Sequence, residues 1–219
     1  MHKSNYFVFD LETGGLEPTE NPITQFACVI LDYKTLKEID RWETFVKPYN
    51  DLKITREALE STMLSMSDIN SGISIKQFNK TCAEYLKSFN AAPKKPEFGR
   101  LVAIGQNVTF DIGFMKYAFE LDKLNFNDFV YENFIDTFPL AKATFGITGE
   151  EKLNLKANCK NADIVLTDAH GAMNDVEATA DLFRFFVKRL RKGGSTTIED
   201  KKQRKKGIEF FEFKCAKDK

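Results

Sequence analysis

Asp10 and Glu12 are separated by a single residue, and they close an apolar run, Tyr6-Phe7-Val8-Phe9, just before the turn signal Thr13-Gly14-Gly15. In an extended strand the side chains repeat every two residues, so both carboxylates project from one face, about 7 Å apart along the chain. Two like charges held that close repel unless a proton, a basic side chain or a metal ion stands between them. Between His2 and Arg41 the only Lys or Arg residues are Lys3, Lys34 and Lys37. The local chain therefore supplies no basic partner, and a divalent metal is expected. Acid-x-acid pairs also arise by chance in a chain with 32 Asp and Glu. Position adds weight here, because the apolar strand ends in a Gly-rich turn, where α/β proteins place their chemistry.

Three more groups bear on the same chemistry. Asp111 opens a helical pattern that follows the apolar run Leu101-Val102-Ala103-Ile104 and the turn Gly105-Gln106-Asn107. The helix dipole alone favours an acid there, and Asn107 can simply hold the turn with its amide. Asp175 shares a helical face with Leu182 and Phe186, so it is expected to look inward, where a carboxylate without donors or a cation is costly. His170 lies five residues before it; the other histidine, His2, is at the terminus. A lone histidine more often packs than reacts, but beside an inward-facing Asp it becomes a candidate base.

The elements that must position these groups follow from periodicity. Residues 4–12, 23–33 and 37–47 read as strands of a meander, and residues 55–66 and 74–89 as helices. A surface connection at 91–96 precedes the strand at 101–104, its turn, and a helix through Leu124. Residues 130–137 read as a strand entering a short helix at Pro139, and 153–159 as a helical turn or two. A long helix spans 172–191, with Val176, Ala180, Phe183, Val187 and Leu190 on one stripe, and Gly193-Gly194-Ser195 marks the end of the compact domain. The expected division is a domain over 1–191 and a basic linker with an apolar tail over 192–219.

The 219 residues suffice for one well-buried α/β domain with a tail to spare. No stretch reaches the apolar length of a membrane span, and the N-terminus lacks a signal-peptide core, so a soluble protein with no membrane partner is expected. Cys28, Cys82, Cys159 and Cys215 form no CxxC pair, which favours structural thiols in a reducing, cytoplasmic setting over zinc or disulfides. The net charge of zero hides an asymmetry: residues 188–219 carry 12 Lys or Arg against 5 Asp or Glu, leaving the body with 20 against 27. An acidic body repels nucleic acid unless bound metal and the basic tail offset it.

Phe9-Asp10-Leu11-Glu12-Thr13-Gly14-Gly15-Leu16, then Gly105-Gln106-Asn107-Val108-Thr109-Phe110-Asp111, then His170-Gly171-Ala172-Met173-Asn174-Asp175 together resemble the three motifs of the DEDDh, DnaQ-like 3′–5′ exonucleases. That family includes the proofreading epsilon subunit of DNA polymerase III. The resemblance covers about residues 4–190 and implies an α/β fold, a ribonuclease-H-like mixed five-stranded sheet flanked by helices. It implies that Asp10, Glu12, Asp111 and Asp175 gather around two divalent ions, Mg²⁺ or Mn²⁺, with His170 as general base. It also implies that Thr13, Gly14 and Leu16 hold the terminal nucleotide, with Asn107 supporting the pocket, and that nucleoside 5′-monophosphates are released. Gly14 stands where many members have a second threonine, and Gln106 where a histidine is frequent; neither is a metal ligand in the family pattern.

The expected partner is single-stranded nucleic acid, DNA over RNA. An RNA exonuclease, a proofreading or repair subunit, and a nucleic-acid-binding module without catalysis remain as alternatives. Beyond Lys201-Lys202-Gln203-Arg204-Lys205-Lys206, residues 208–213 (Ile-Glu-Phe-Phe-Glu-Phe) are too apolar for a plain solvated end. They either fold back onto the domain or dock on a polymerase, clamp or other replication protein, by strand addition or through Phe210 and Phe211. Gln203 is badly spaced from those phenylalanines for a clamp-binding peptide.

Overall fold

The computed structural model describes residues 4–90, 99–146, 154–166 and 171–193. The expected connection at 91–96, His170 and the tail beyond residue 193 lie outside them. The chain divides into a unit Met1–Phe183 and a second unit Arg184–Lys219.

Five strands form one mixed sheet: β1 (Tyr6–Thr13), β2 (Ile23–Leu31), β3 (Glu38–Phe45), β4 (Val102–Gly105) and β5 (Ile135–Asp136), in the order β3-β2-β1-β4-β5. The first three pair antiparallel as the expected meander, while β4 runs parallel to β1 and β5 parallel to β4. The helices are α1 (Arg56–Thr62), α2 (Met66–Ser71), α3 (Ile75–Ser88), α4 (Thr109–Leu121), α5 (Thr137–Phe145), α6 (Leu155–Asn161) and α7 (Ala172–Gly193), with a 3-10 turn at Phe126–Asp128.

The central strand β1 separates two environments. Its odd residues Phe7, Phe9 and Leu11 join Phe26 and Cys28 of β2, Phe78, Cys82 and Leu86 of α3, and Phe114, Met115 and Phe119 of α4 in one buried cluster. The rings of Phe7 and Phe9 stack at 4.5 Å, and Trp42 of β3 closes on Phe26 at 5.0 Å. Each fully buried phenylalanine contributes roughly 1.5–3 kcal/mol. The even residues Tyr6, Val8, Asp10 and Glu12 face the other way. Across the ladder that face continues through Ala27 and Gln25 of β2 to Glu43 of β3. The first half of α7 covers it: Phe183 meets the Tyr6 ring edge-on at 4.8 Å, and Arg41 of β3 donates to Glu177. All nine residues of β2 are buried, as a strand covered on both faces requires. Within the second unit, the Arg189 guanidinium lies 4.7 Å from the Phe185 ring.

Two elements differ from the sequence expectation. The single helix expected over 55–66 is broken at Met63, which caps α1 in the left-handed conformation (φ 55°, ψ 17°). A capping box between Ser65 and Asp68 then starts α2. The apolar spacing ran across this cap and concealed it. The strand expected over 130–137 shrinks to Ile135–Asp136, with Val130 making one isolated bridge to Leu101. More residues separate Val130 from Ile135 than separate Leu101 from Ile104, so the intervening chain leaves the ladder.

Candidate active site

β1 outruns β4. The register between them stops at Val8 and Ile104, so farther along β1 the Leu11 N–H has lost its neighbouring strand. The Asp111 carboxylate takes its place, with Oδ1 accepting that N–H at 3.2 Å. Asp111 is thereby drawn in from the first turn of α4 to 4% exposure. The turn that delivers it is tight: a Cβ on Gly105 would sit 2.6 Å from Val108 Cγ2. Asn107 occupies the left-handed region (φ 57°), which asparagine tolerates. Its N–H donates to Asp136 Oδ1 at 2.9 Å, the oxygen that also caps α5 by accepting from the Phe138 N–H.

Asp175 enters from the first turn of α7. Its charge is felt by both acids of β1. Asp10 is pushed well above the usual carboxylate range, first by burial and then by Asp111, Glu12 and Asp175. Burial, with Asp175 next, pushes Glu12 up to about 7. Asp111 is raised chiefly by burial, against the opposing pull of the Leu11 N–H, with Glu12 and Asp136 adding to the rise. Four carboxylates from β1, α4 and α7 therefore share one electrostatic neighbourhood. Among the described residues, the ion pairs of Arg41 with Glu38 and Glu177 and of Arg56 with Glu60 leave Asp10, Glu12 and Asp111 aside. The desolvated, mutually repelling carboxylates of Asp10, Glu12 and Asp111 suit a hard divalent cation with oxygen ligands. Among the described residues no three His, Cys, Asp or Glu side chains close into a group that could already hold a metal. The acids are electrostatic neighbours rather than a preformed cage.

Beside Glu12 opens a pocket of about 400 Å³, lined by the β1 end and loop (Leu11 to Thr13, Gly15, Leu16), by α1 with its cap, and by Phe110 of α4. The loop is tied to the helix that forms the opposite wall. Thr55 donates its N–H to the Gly14 carbonyl at 2.8 Å, while its side chain caps α1 at the Ala58 N–H. Behind the loop, a Cβ on Gly15 would come within 2.5 Å of the Asn21 amide, so a larger residue would have to displace that amide from the Glu17 N–H and the Lys53 carbonyl. Leu16 stands out from the surface at 78% exposure.

The structure thus puts Asp10, Glu12, Asp111 and Asp175 within electrostatic reach of one another, without closing them into a metal-holding group, and places Thr13 and Leu16 on the adjoining pocket. Gly14 is buried behind the loop and Asn107 lies on the α4 turn; neither is among the pocket-lining residues. His170 lies outside the described residues. Sequence reasoning missed Phe110, although it adjoins Asp111, and missed the α1 wall. The signal for that wall was Thr55 as a helix cap before Arg56-Glu57. Asp136 was also missed; its signal was an acid at the strand-to-helix junction before Pro139.

The matches to known proteins bear on the fold and the family. The "DNA polymerase III PolC-type" protein of Clostridium perfringens is 29% identical over 187 residues, covering 85% of this chain but 11% of its own length. The "Ribonuclease T" of Histophilus somni is 28% identical over 192 residues and is covered to 85%, as is this chain. This chain thus spans only a small part of the PolC-type polymerases it matches. Escherichia coli exonuclease I in complex with a dA16 oligonucleotide superposes with a TM-score of 0.68 at 20% identity, over 84% of this chain and 40% of that one. A zinc-bound form of exonuclease I with single-stranded DNA gives 0.71 at 21% identity, over 87% and 42%. At these identities the superpositions establish the fold, the ribonuclease-H-like mixed sheet flanked by helices. The family model described as "Exonuclease" (RNase_T) matches residues 7–183, the stretch from the start of β1 into α7, and the chain belongs to that exonuclease family, of the DnaQ-like kind.

Proposed function

We propose that this chain hydrolyses single-stranded DNA from a free 3′ end and releases nucleoside 5′-monophosphates. Asp10, Glu12, Asp111 and Asp175 are the residues that hold two divalent ions, Mg²⁺ or Mn²⁺. The observation that carries the reading is the convergence of these four carboxylates from three elements, with Glu12 also forming the wall of the 400 Å³ pocket. Bound there, the ions would stabilise charge building on the phosphoryl oxygens and acidify the attacking water. The chain's own residues supply the rest. The loop Thr13-Gly14-Gly15 and Leu16 hold the terminal nucleotide, the base lies on Leu16 with Phe110 across the pocket, and Asn107 supports the turn behind. His170 accepts the proton of the water, a role that rests on the motif alone. The volume lies in the range of small-ligand sites, enough for one terminal nucleotide.

One relative supports a second reading, hydrolysis of RNA ends: the ribonuclease T match runs almost the whole length of both proteins. The PolC-type relatives support a polymerase or replication partner, with residues 208–213 as the docking segment of a tail, 192–219, that follows an exonuclease domain over 1–191. The buried free thiols Cys28, Cys82 and Cys159 support a reducing, cytoplasmic setting.

The test is digestion of end-labelled single strands of DNA and RNA with Mg²⁺ or Mn²⁺. Mononucleotides should appear from free 3′ ends, faster from DNA, and chelation should stop their release. A 3′-phosphate should block it, since its added charge would lie beside Glu12. Internal fragments, or equal rates on blocked ends, would contradict the proposal.

A further inference from the structure

Gln25 is a buried amide, 4% exposed, in the strand directly beside β1. Its register partner is Glu12, so the two side chains leave the sheet on the same face, toward the start of α7. There its Oε1 accepts the N–H of Ala172, the first residue of α7, at 3.4 Å. That N–H is one of the helix-terminal donors with no partner inside the helix. On its other side Gln25 Nε2 donates to Glu43 Oε1 at 2.7 Å. A carboxylate offers only acceptors, so Glu43 settles which way the amide points: nitrogen to β3, oxygen to α7. The first turn of α7 is in turn closed on Gly171, whose carbonyl accepts from the N–H groups of Asn174 and Asp175 at 2.9 and 3.2 Å. A displacement at Ala172 therefore reaches Asp175 within one turn.

We propose that Gln25, oriented by Glu43, is a positioning residue that fixes the start of α7 and so sets Asp175 against Asp10 and Glu12. This assignment rests on the reading of Asp175 as part of the active site. Gln25 touches neither the scissile group nor the nucleotide pocket, so its contribution belongs to turnover and not to substrate affinity. Arg41 also links β3 to α7 through Glu177, but both side chains are nearly half exposed, and such a pair holds a helix weakly.

The test uses the full chain and two readouts. Amide hydrogen exchange of the metal-free protein reports on Ala172, Asn174 and Asp175; steady-state digestion of a single strand separates kcat from KM. Gln25→Met keeps the volume and removes both hydrogen bonds. It should speed exchange at those amides by about tenfold relative to α4, and lower kcat by about tenfold with KM within about twofold of wild type. Glu43→Leu, on an exposed position of the edge strand, should shift the same amides and kcat in the same direction by less. Glu43→Gln retains an acceptor oxygen and should match wild type. The Gln25→Met/Glu43→Leu double variant should be no worse than Gln25→Met. Unchanged exchange at Ala172 in Gln25→Met would overturn the assignment, as would equal damage from Glu43→Gln and Glu43→Leu, or additive losses in the double variant. Should Gln25→Met fail to fold, the two Glu43 variants decide. Wild-type protein with no nuclease activity would sink the proposed function instead, while the exchange data would still judge whether Gln25 fixes the start of α7.

Discussion

The two faces of β1 are built from alternate residues of one strand, and they work against each other. Phe7, Phe9 and Leu11 lie in an apolar cluster where every methylene removed from water favours folding. Asp10 and Glu12, one residue away on either side of Leu11, are held partly out of water among other acids, so their ionised forms are disfavoured. Without a cation the second face subtracts from the stability that the first provides. A strand can carry such a load only because the odd face is so well packed, with Phe7 and Phe9 both at or near zero exposure. Rigid packing on one side holds like charges together on the other, at spacings they would not choose.

The sharpest way to break this pairing is Asp10→Ala. Digestion of a labelled strand should fall by about 10³-fold or more, since the proposed metal site loses a shared ligand. The metal-free protein should at the same time become more stable by on the order of 1 kcal/mol, because one crowded carboxylate is gone. Thermal melts without metal check the second part, and an unchanged or lower melting temperature would contradict it. Phe9→Ala is the converse. Removal of a fully buried ring should cost about 3–5 kcal/mol in denaturant melts, while molecules that remain folded should lose far less activity than Asp10→Ala, by about tenfold at most, because the loosened strand holds its acids less precisely.

A pH series separates the faces without mutation. The raised acids make the folded state bind more protons than the unfolded state between the ordinary carboxylate range and the value of about 7 reached by Glu12. The metal-free protein should therefore lose stability as pH rises from about 5 to about 8. Saturating Mg²⁺ or Mn²⁺ should flatten or reverse that slope, because a bound cation favours the charged forms. A metal-free stability that rises over this interval would show the carboxylates to be ordinary. The smallest effect is expected at the rim of the same face: Arg41→Ala, which removes exposed ion pairs to Glu38 and Glu177, should cost less than about 1 kcal/mol.

Much of this was legible in the chain. The meander shows as alternating apolar residues with short polar turns, and the acids of β1 stand out because strand spacing alone puts them on one side. Other features required three dimensions. Gln25 reads as an unremarkable polar residue in a buried strand; its meaning lies in Glu43 and in the Ala172 N–H, far off in sequence. The break at Met63 was hidden because apolar periodicity continues through a left-handed cap. The short β5 depends on where its neighbour ends, which no local pattern encodes. Thr55 marks the start of α1 in the sequence, but not that α1 walls the pocket: its link to the loop is a backbone bond between Thr55 and Gly14, made without regard to side-chain identity.

The antiparallel meander β1 to β3 is contiguous in sequence, whereas Asp175 comes within electrostatic reach of Asp10 only after nearly the whole family-matched stretch has been threaded between them. Contacts of high sequence separation demand the greatest loop-closure entropy. The chain can therefore assemble most of its sheet while still lacking the last acid. On the proposed function, a nascent or partly opened molecule would carry three of the four carboxylates and be unable to cut, so hydrolytic competence would double as a report that the start of α7 has docked.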